Sequence, residues 1–191
     1  MSVAQLETGF RLDRLYRWME GLMDGSKRPT LALLARILSD EKVRYAVIGG
    51  VALQVHRHEP RTTIDIDLAL EDRSAWPALA LEAAGFRRTG TFEHSENWLS
   101  ADSTPVQITD DPVLAACVGR AGTVEIDGLP LRILAPLDLL RAKLRAAADP
   151  ARRRSKRLLD LADAQGLVED HPELLAGLEP DERTTLENLR P

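Results

Sequence analysis

With 191 residues and a net charge of −5, the chain is long enough for one domain with a real core and too acidic overall for general coating of nucleic acid. Hydrophobic residues make up 44% but aromatics only 4%, so the apolar content leans on Leu and Ala, which suit helices. No run approaches the ~18 apolar residues of a membrane span, no signal-peptide pattern opens the chain, and Cys117 is the single cysteine, so the expected setting is a reducing cytoplasm with no membrane partner.

The first periodic segment predicts an amphipathic helix over about residues 4–23, with Leu6, Phe10, Leu15, Trp18, Met19 and Leu22 on its apolar side. Pro29-Thr30 opens a second helix, to about Ser39. Residues 43–48 read as a short apolar strand. Gly49-Gly50 turns that strand into a helix over about 51–58, which Pro60 blocks from continuing. Thr63 to about Leu70 alternates apolar and polar residues, as a half-buried strand does. That places Asp65 and Asp67 on one face and Ile64 and Ile66 on the other.

A helix over about 74–84 stops at Gly85, and strands follow near 86–88 and 105–109. Asp127-Gly128 joins strands 123–126 and 129–134 in a tight hairpin. After Pro136 only helices are expected, over about 137–148, 151–165, 172–178 and 180–189. Charge is polarised within this tail. Residues 141–157 are strongly basic, including Arg152, Arg153, Arg154 and Lys156, and the chain turns acidic from Glu169. Such a patch suits a triphosphate or RNA, and equally a solvated helix face.

Asp65 and Asp67 carry the chemistry. Two carboxylates this close repel unless a cation lies between them, and Mg²⁺ or Mn²⁺, which takes oxygen ligands and holds nucleotide phosphates, is the natural occupant. Glycines at the strand-to-helix turn let backbone N–H groups approach an anion, although a Gly-Gly pair also serves as a plain tight turn. Thr63 shares the carboxylate face, where its hydroxyl can bind phosphate, brace Asp65 or simply start the strand. Arg61 can contact phosphate or neutralise the aspartates.

Gly49-Gly50, Ala52-Leu53 and Arg61-x-Thr63-x-Asp65-x-Asp67 resemble the signature of the DNA polymerase β nucleotidyltransferase superfamily. Among its branches the chain looks most like the minimal nucleotidyltransferases of the AbiEii/AbiGii toxin type. The resemblance implies an α+β fold, with a small mixed β-sheet flanked by helices and a C-terminal helical extension. A core of residues 1–135 would then carry a helical region, 136–191, packed on the same domain. The resemblance also implies an NTP substrate with its phosphates on Gly49 and Gly50, a metal on Asp65 and Asp67, and transfer of a nucleoside monophosphate. The acceptor would be RNA or tRNA, a protein or a small molecule, and an antitoxin protein is an implied partner.

The same family type continues after the hairpin with a helical lysine and an Asp-x-x-Asp helix, here Lys143, Asp160 and Asp163. By that resemblance Lys143 serves the triphosphate, against the alternative of a solvated lysine. Asp160 and Asp163 are expected opposite the apolar face of Leu158, Leu161 and Ala162, where a surface pair of Asp160 with Lys156 is the plainer reading. One departure stands out. Where superfamily members often carry a third carboxylate, on strand 105–109, this chain has Gln107, which cannot act as a base at neutral pH. Asp110 and Asp111, just beyond, read as an acidic structural turn.

Overall fold

The structure, a computed structural model, describes residues 3–19, 26–59 and 62–188. Its strands are β1 (Tyr45–Ile48), β2 (Ile66–Leu70), β3 (Arg87–Phe92), β4 (Ser95–Leu99), β5 (Pro105–Thr109), β6 (Gly122–Ile126) and β7 (Leu129–Ile133). The helices are α1 (Val3–Met19), α2 (Arg28–Asp40), α3 (Gly49–His56), α4 (Ala78–Ala83), α5 (Pro112–Ala115), α6 (Pro136–Ala148), α7 (Arg154–Asp170) and α8 (Pro180–Asn188).

All seven strands join one mixed sheet in the order β3-β4-β5-β2-β1-β7-β6. The most apolar strands take the centre, because only a central strand buries both faces. Thus β1 pairs antiparallel with β2, while β2 pairs in parallel with β5 and β1 with β7. The β6–β7 hairpin turns on Asp127 and Gly128, both at positive φ (51° and 76°), as a primed two-residue turn requires. Flanked by helices and followed by α6–α8, this sheet makes the fold α+β.

Several boundaries move, each for a physical reason. The carboxylate strand begins only at Ile66, so Thr63, Ile64 and Asp65 form the loop leading into it and Ile64 is 64% exposed. Pro77 shortens the helix expected over 74–84: Arg73–Ala75 form a separate 3-10 turn and α4 starts at Ala78. Strand β4 gave no apolar alternation, since its run is Ser-Glu-Asn-Trp-Leu. Only Trp98 is fully inward, where it meets Trp76 edge to face at 6.0 Å. The four-residue α5 is capped by Asp111, whose side chain accepts from the N–H groups of Val113 and Leu114.

On α1, Leu6 and Phe10 are buried as expected, but Leu15, Trp18 and Met19 are exposed, so the apolar stripe stops halfway along the helix. Leu22, Met23, Pro60 and Arg61 lie outside the described residues. The apolar core is continuous from Leu6 on α1, through the sheet and Leu139, Leu140 and Leu144 on α6, to Leu186 on α8. No helix among the described residues is long and apolar enough to cross a membrane.

Candidate active site

The glycine turn and the carboxylate strand meet in space. Ile48 lies directly across from Asp67 in the β1–β2 pair, so the first residues of α3 sit over the start of β2. Gly49 has φ +61°, and any Cβ there would collide with the Asp67 carboxylate; a Cβ on Gly50 would fall 2.5 Å from Thr63. Both glycines are therefore required by close approach, and the backbone at the α3 N-terminus lies against the acidic loop. No side chain caps that terminus, so its first N–H groups present positive partial charge beside the carboxylates.

Asp67 shows the electrostatic consequence. Burial, reinforced by the neighbouring Asp65 charge, pushes its carboxyl up to about 7, against the pull of Lys143, Arg152 and Lys156. The Asp65 charge thus opposes ionisation of Asp67, and the three cations offset this only in part. Thr63 does brace Asp65: its hydroxyl donates to Asp65 Oδ1 at 2.7 Å.

The loop carrying these groups is held from behind by a residue with no local sequence signal. Lys27, just ahead of α2, has its ammonium buried, with 2% of the side chain exposed. It donates to Asp13 Oδ2 of α1 at 2.5 Å and to the backbone carbonyl of Thr63. A chain of contacts therefore runs Asp13, Lys27, Thr63, Asp65 and ties α1 to the acidic loop.

The cationic wall comes from α6 and α7. Lys143 is only 12% exposed and is bridged at 2.9 Å to both Asp160 and Asp163, while Arg152 donates to Asp160 Oδ2 at 2.6 Å. Both aspartates are buried, and Leu158, Leu159 and Ala162 face outward. The carboxylate face of α7 turns inward, against expectation, because Lys143 and Arg152 neutralise it there, while Leu161 of the expected apolar face still packs against the core. Asp160 pairs with these two groups rather than forming a surface pair with Lys156. Both α6 and α7 pack against α3, whose N-terminus lies over the start of β2, and this brings the wall to the side of the carboxylates.

Gln107 occupies the position in register with Asp67 on the parallel neighbour β5, so the two side chains project from the same face. Asp110 and Asp111 do not substitute for the missing carboxylate. Asp111 is engaged by Arg145 and the α5 cap, and Asp110 lies 3.6 Å from Arg73 and from His94.

Two carboxylates beside an open helix N-terminus suit a divalent cation shared with a phosphate. Asp65 and Asp67 are hard oxygen donors, and the raised Asp67 carboxyl marks charge that a cation would relieve. Among the described residues no group of three or more His, Cys, Asp or Glu side chains could hold a metal alone, so ligand oxygens would have to complete the shell.

No family model matches the sequence, and no curated protein matches it. Among solved structures, the fold is similar to an antigenic nucleotidyltransferase-like protein from Paracoccidioides brasiliensis at TM-score 0.53 and 20% identity, covering 84% of this chain and 91% of that one. It is also similar to ANT(2'')-Ia in complex with adenylyl-2''-tobramycin at TM-score 0.51 and 16% identity, covering 84% and 94%. A third likeness is to the lincomycin-bound lincosamide adenylyltransferase LnuA, at TM-score 0.51 and 11% identity, covering 72% and 95%. The chain therefore has the nucleotidyltransferase fold.

Proposed function

We propose that the protein is a metal-dependent nucleotidyltransferase that moves a nucleoside monophosphate from an NTP to an acceptor hydroxyl. The observation that carries this reading is the convergence of Gly49, Gly50, Thr63, Asp65 and Asp67 at the α3 N-terminus, with Lys143 and Arg152 beside them. Asp65 and Asp67 would hold Mg²⁺ or Mn²⁺, which when bound supplies charge neutralisation at the reacting phosphate.

The chain's own groups do the rest. Backbone N–H groups at Gly49 and Gly50 bind phosphate oxygens, and Thr63 keeps Asp65 oriented. Lys143 and Arg152 stabilise the negative charge that develops on the departing pyrophosphate. Asp160 and Asp163 hold the Lys143 ammonium in place, and so act on the substrate through it. Arg61 belongs to the same motif and is assigned to phosphate by that position. The acceptor is drawn from RNA or tRNA, a protein, or a small molecule; the small-molecule choice is supported by ANT(2'')-Ia, seen with adenylyl-2''-tobramycin, and by the lincomycin-bound lincosamide adenylyltransferase LnuA.

The test is incubation with each α-labelled triphosphate, Mg²⁺ and RNA, protein or small-molecule fractions. Label transfer that needs Asp65 supports the reading; its absence with every triphosphate refutes it. A second reading, a non-catalytic module that binds nucleotide or a partner protein, is favoured by Gln107 alone, and metal-dependent transfer separates the two. Resemblance to the AbiEii type adds a toxin role restrained by an antitoxin. Growth arrest on expression, relieved by a neighbouring gene product, tests it.

A further inference from the structure

The far end of α3 is gripped by the last turns of α7. His171 Nε2 donates to the backbone carbonyl of His56, the final residue of α3, at 2.7 Å. Asp170, which ends α7, accepts from the His58 backbone N–H at 2.8 Å and lies 2.9 Å from His58 Nδ1. Between these two contacts the Arg57 guanidinium lies over Gly166 of α7, where any Cβ would collide with it. Against the upward push of burial, the bonds from His58 and the nearby Arg57 hold the Asp170 carboxyl below its ordinary value. His56 is also tied from a third side: its Nε2 donates to the Leu134 carbonyl at 2.8 Å, just ahead of α6.

Asp163, Gly166 and Asp170 stand at i, i+3 and i+7, on one stripe of α7. One end of that stripe holds the Lys143 ammonium, and the other holds the end of α3. At the ~1.5 Å rise per helical residue, Asp163 to Asp170 covers about 10 Å, the same length that α3 covers from Gly49 to His56. The two helices thus run as matched arms from the site to this clasp. Most of the packing of α7 is along α6 and little of it is against α3, so the polar clasp is a main link between the arms.

We infer that Gly166, Asp170 and His171 are positioning residues for nucleotide transfer: by clasping the end of α3 they set the spacing between the Gly49-Gly50 turn and Lys143. The inference rests on the transfer reading above. A triphosphate spans turn and lysine together only at a fixed spacing, and a misplacement of about 1 Å costs up to about 10²-fold in rate. Directional hydrogen bonds hold such a spacing more tightly than apolar packing does. The three residues touch neither metal nor substrate and move no proton; they act through α3.

Gly166→Ala separates this role from plain stability. The added Cβ displaces the flexible Arg57 guanidinium, while alanine favours the helix interior that glycine weakens. The Tm therefore stays or rises, yet kcat for transfer falls about tenfold. His171→Ala removes the donor to the His56 carbonyl and lowers kcat by about the same factor. In His171→Gln the side-chain amide presents an N–H where Nε2 stood, and most of the rate returns. The KM for NTP stays within about twofold throughout, because the phosphates still meet the glycine turn and only the transition-state contact with Lys143 is lost.

Wild-type protein with Mg²⁺ is first offered each α-labelled triphosphate with the RNA, protein and small-molecule fractions of a cell extract. The combination that takes label is then used for every variant, at a temperature where each is folded by circular dichroism. Wild-type kcat in Gly166→Ala, a His171→Ala defect that glutamine does not relieve, or a KM rise in place of the kcat loss overturns the clasp and leaves transfer intact. Absence of label with wild-type protein overturns the transfer reading, and the role of the clasp with it.

Discussion

Replacing Lys27 with Met removes the ammonium that serves both Asp13 and the Thr63 carbonyl. The Lys27 and Asp13 side chains are 2% and 6% exposed, so the Asp13 carboxylate is left buried without this counter-charge. Breaking a buried pair in this way costs about 3–5 kcal/mol. For a chain of this size the loss lowers Tm by about 6–20 °C, read by scanning calorimetry. Stability alone does not test the link to the site. Combining Lys27→Met with Asp13→Leu removes both charges, and an apolar replacement of a buried pair is close to neutral, so most of the Tm returns. The Thr63 carbonyl still lacks that donor, so the loop carrying Asp65 stays loose and Mg²⁺-dependent NTP binding remains about tenfold weaker. A single variant that melts within a degree of wild type, or a double variant that binds NTP like wild type, refutes the anchoring.

Asp67 gives a pH prediction. Its carboxyl is raised to about 7 from an ordinary 3.8, so its ionisation opposes folding; the penalty is absent below the ordinary value, grows up to about 7 and is complete above it. The metal-free protein therefore loses up to about 4 kcal/mol between pH 4 and pH 8 through this group. Asp67→Asn flattens that part of the Tm–pH profile, and Mg²⁺ restores stability more at pH 8 than at pH 5; an unchanged profile in the variant contradicts this. Gly49→Ala forces a Cβ into the Asp67 carboxylate at positive φ, at least about 1–2 kcal/mol of backbone strain, and NTP binding measured by calorimetry falls sharply. Gln107→Asp places a carboxylate in register with Asp67, and single-turnover transfer rises by about 10²-fold if proton removal limits the rate. No rise assigns the limiting step elsewhere.

The centre of the site was legible because its signals are local. A Gly-Gly turn, one short helix and two closely spaced aspartates declare themselves within residues 49–67, although the alternation read Thr63–Asp65 as strand where the structure has a loop, and Gln107 lies on the strand expected over 105–109. What stayed hidden depends on partners far along the chain. Asp160 and Asp163 are buried with counter-charges that include Lys143, 17 residues before Asp160, and apolar periodicity, which registers Leu161 but no ion pair, put them on the outer face of α7. Lys27 looks like any basic residue ahead of a helix, and its partner carbonyl lies 36 residues away. Strand β4 was missed because its run Ser-Glu-Asn-Trp-Leu shows no apolar alternation, with Trp98 alone fully buried.

The central claim, that Asp65 and Asp67 with the Gly49-Gly50 turn form a nucleotide-transfer site, is tested most directly by label transfer from α-labelled NTP with Asp65→Ala. The account predicts that transfer falls to background while the variant keeps its fold by circular dichroism. Transfer at the wild-type rate would contradict it.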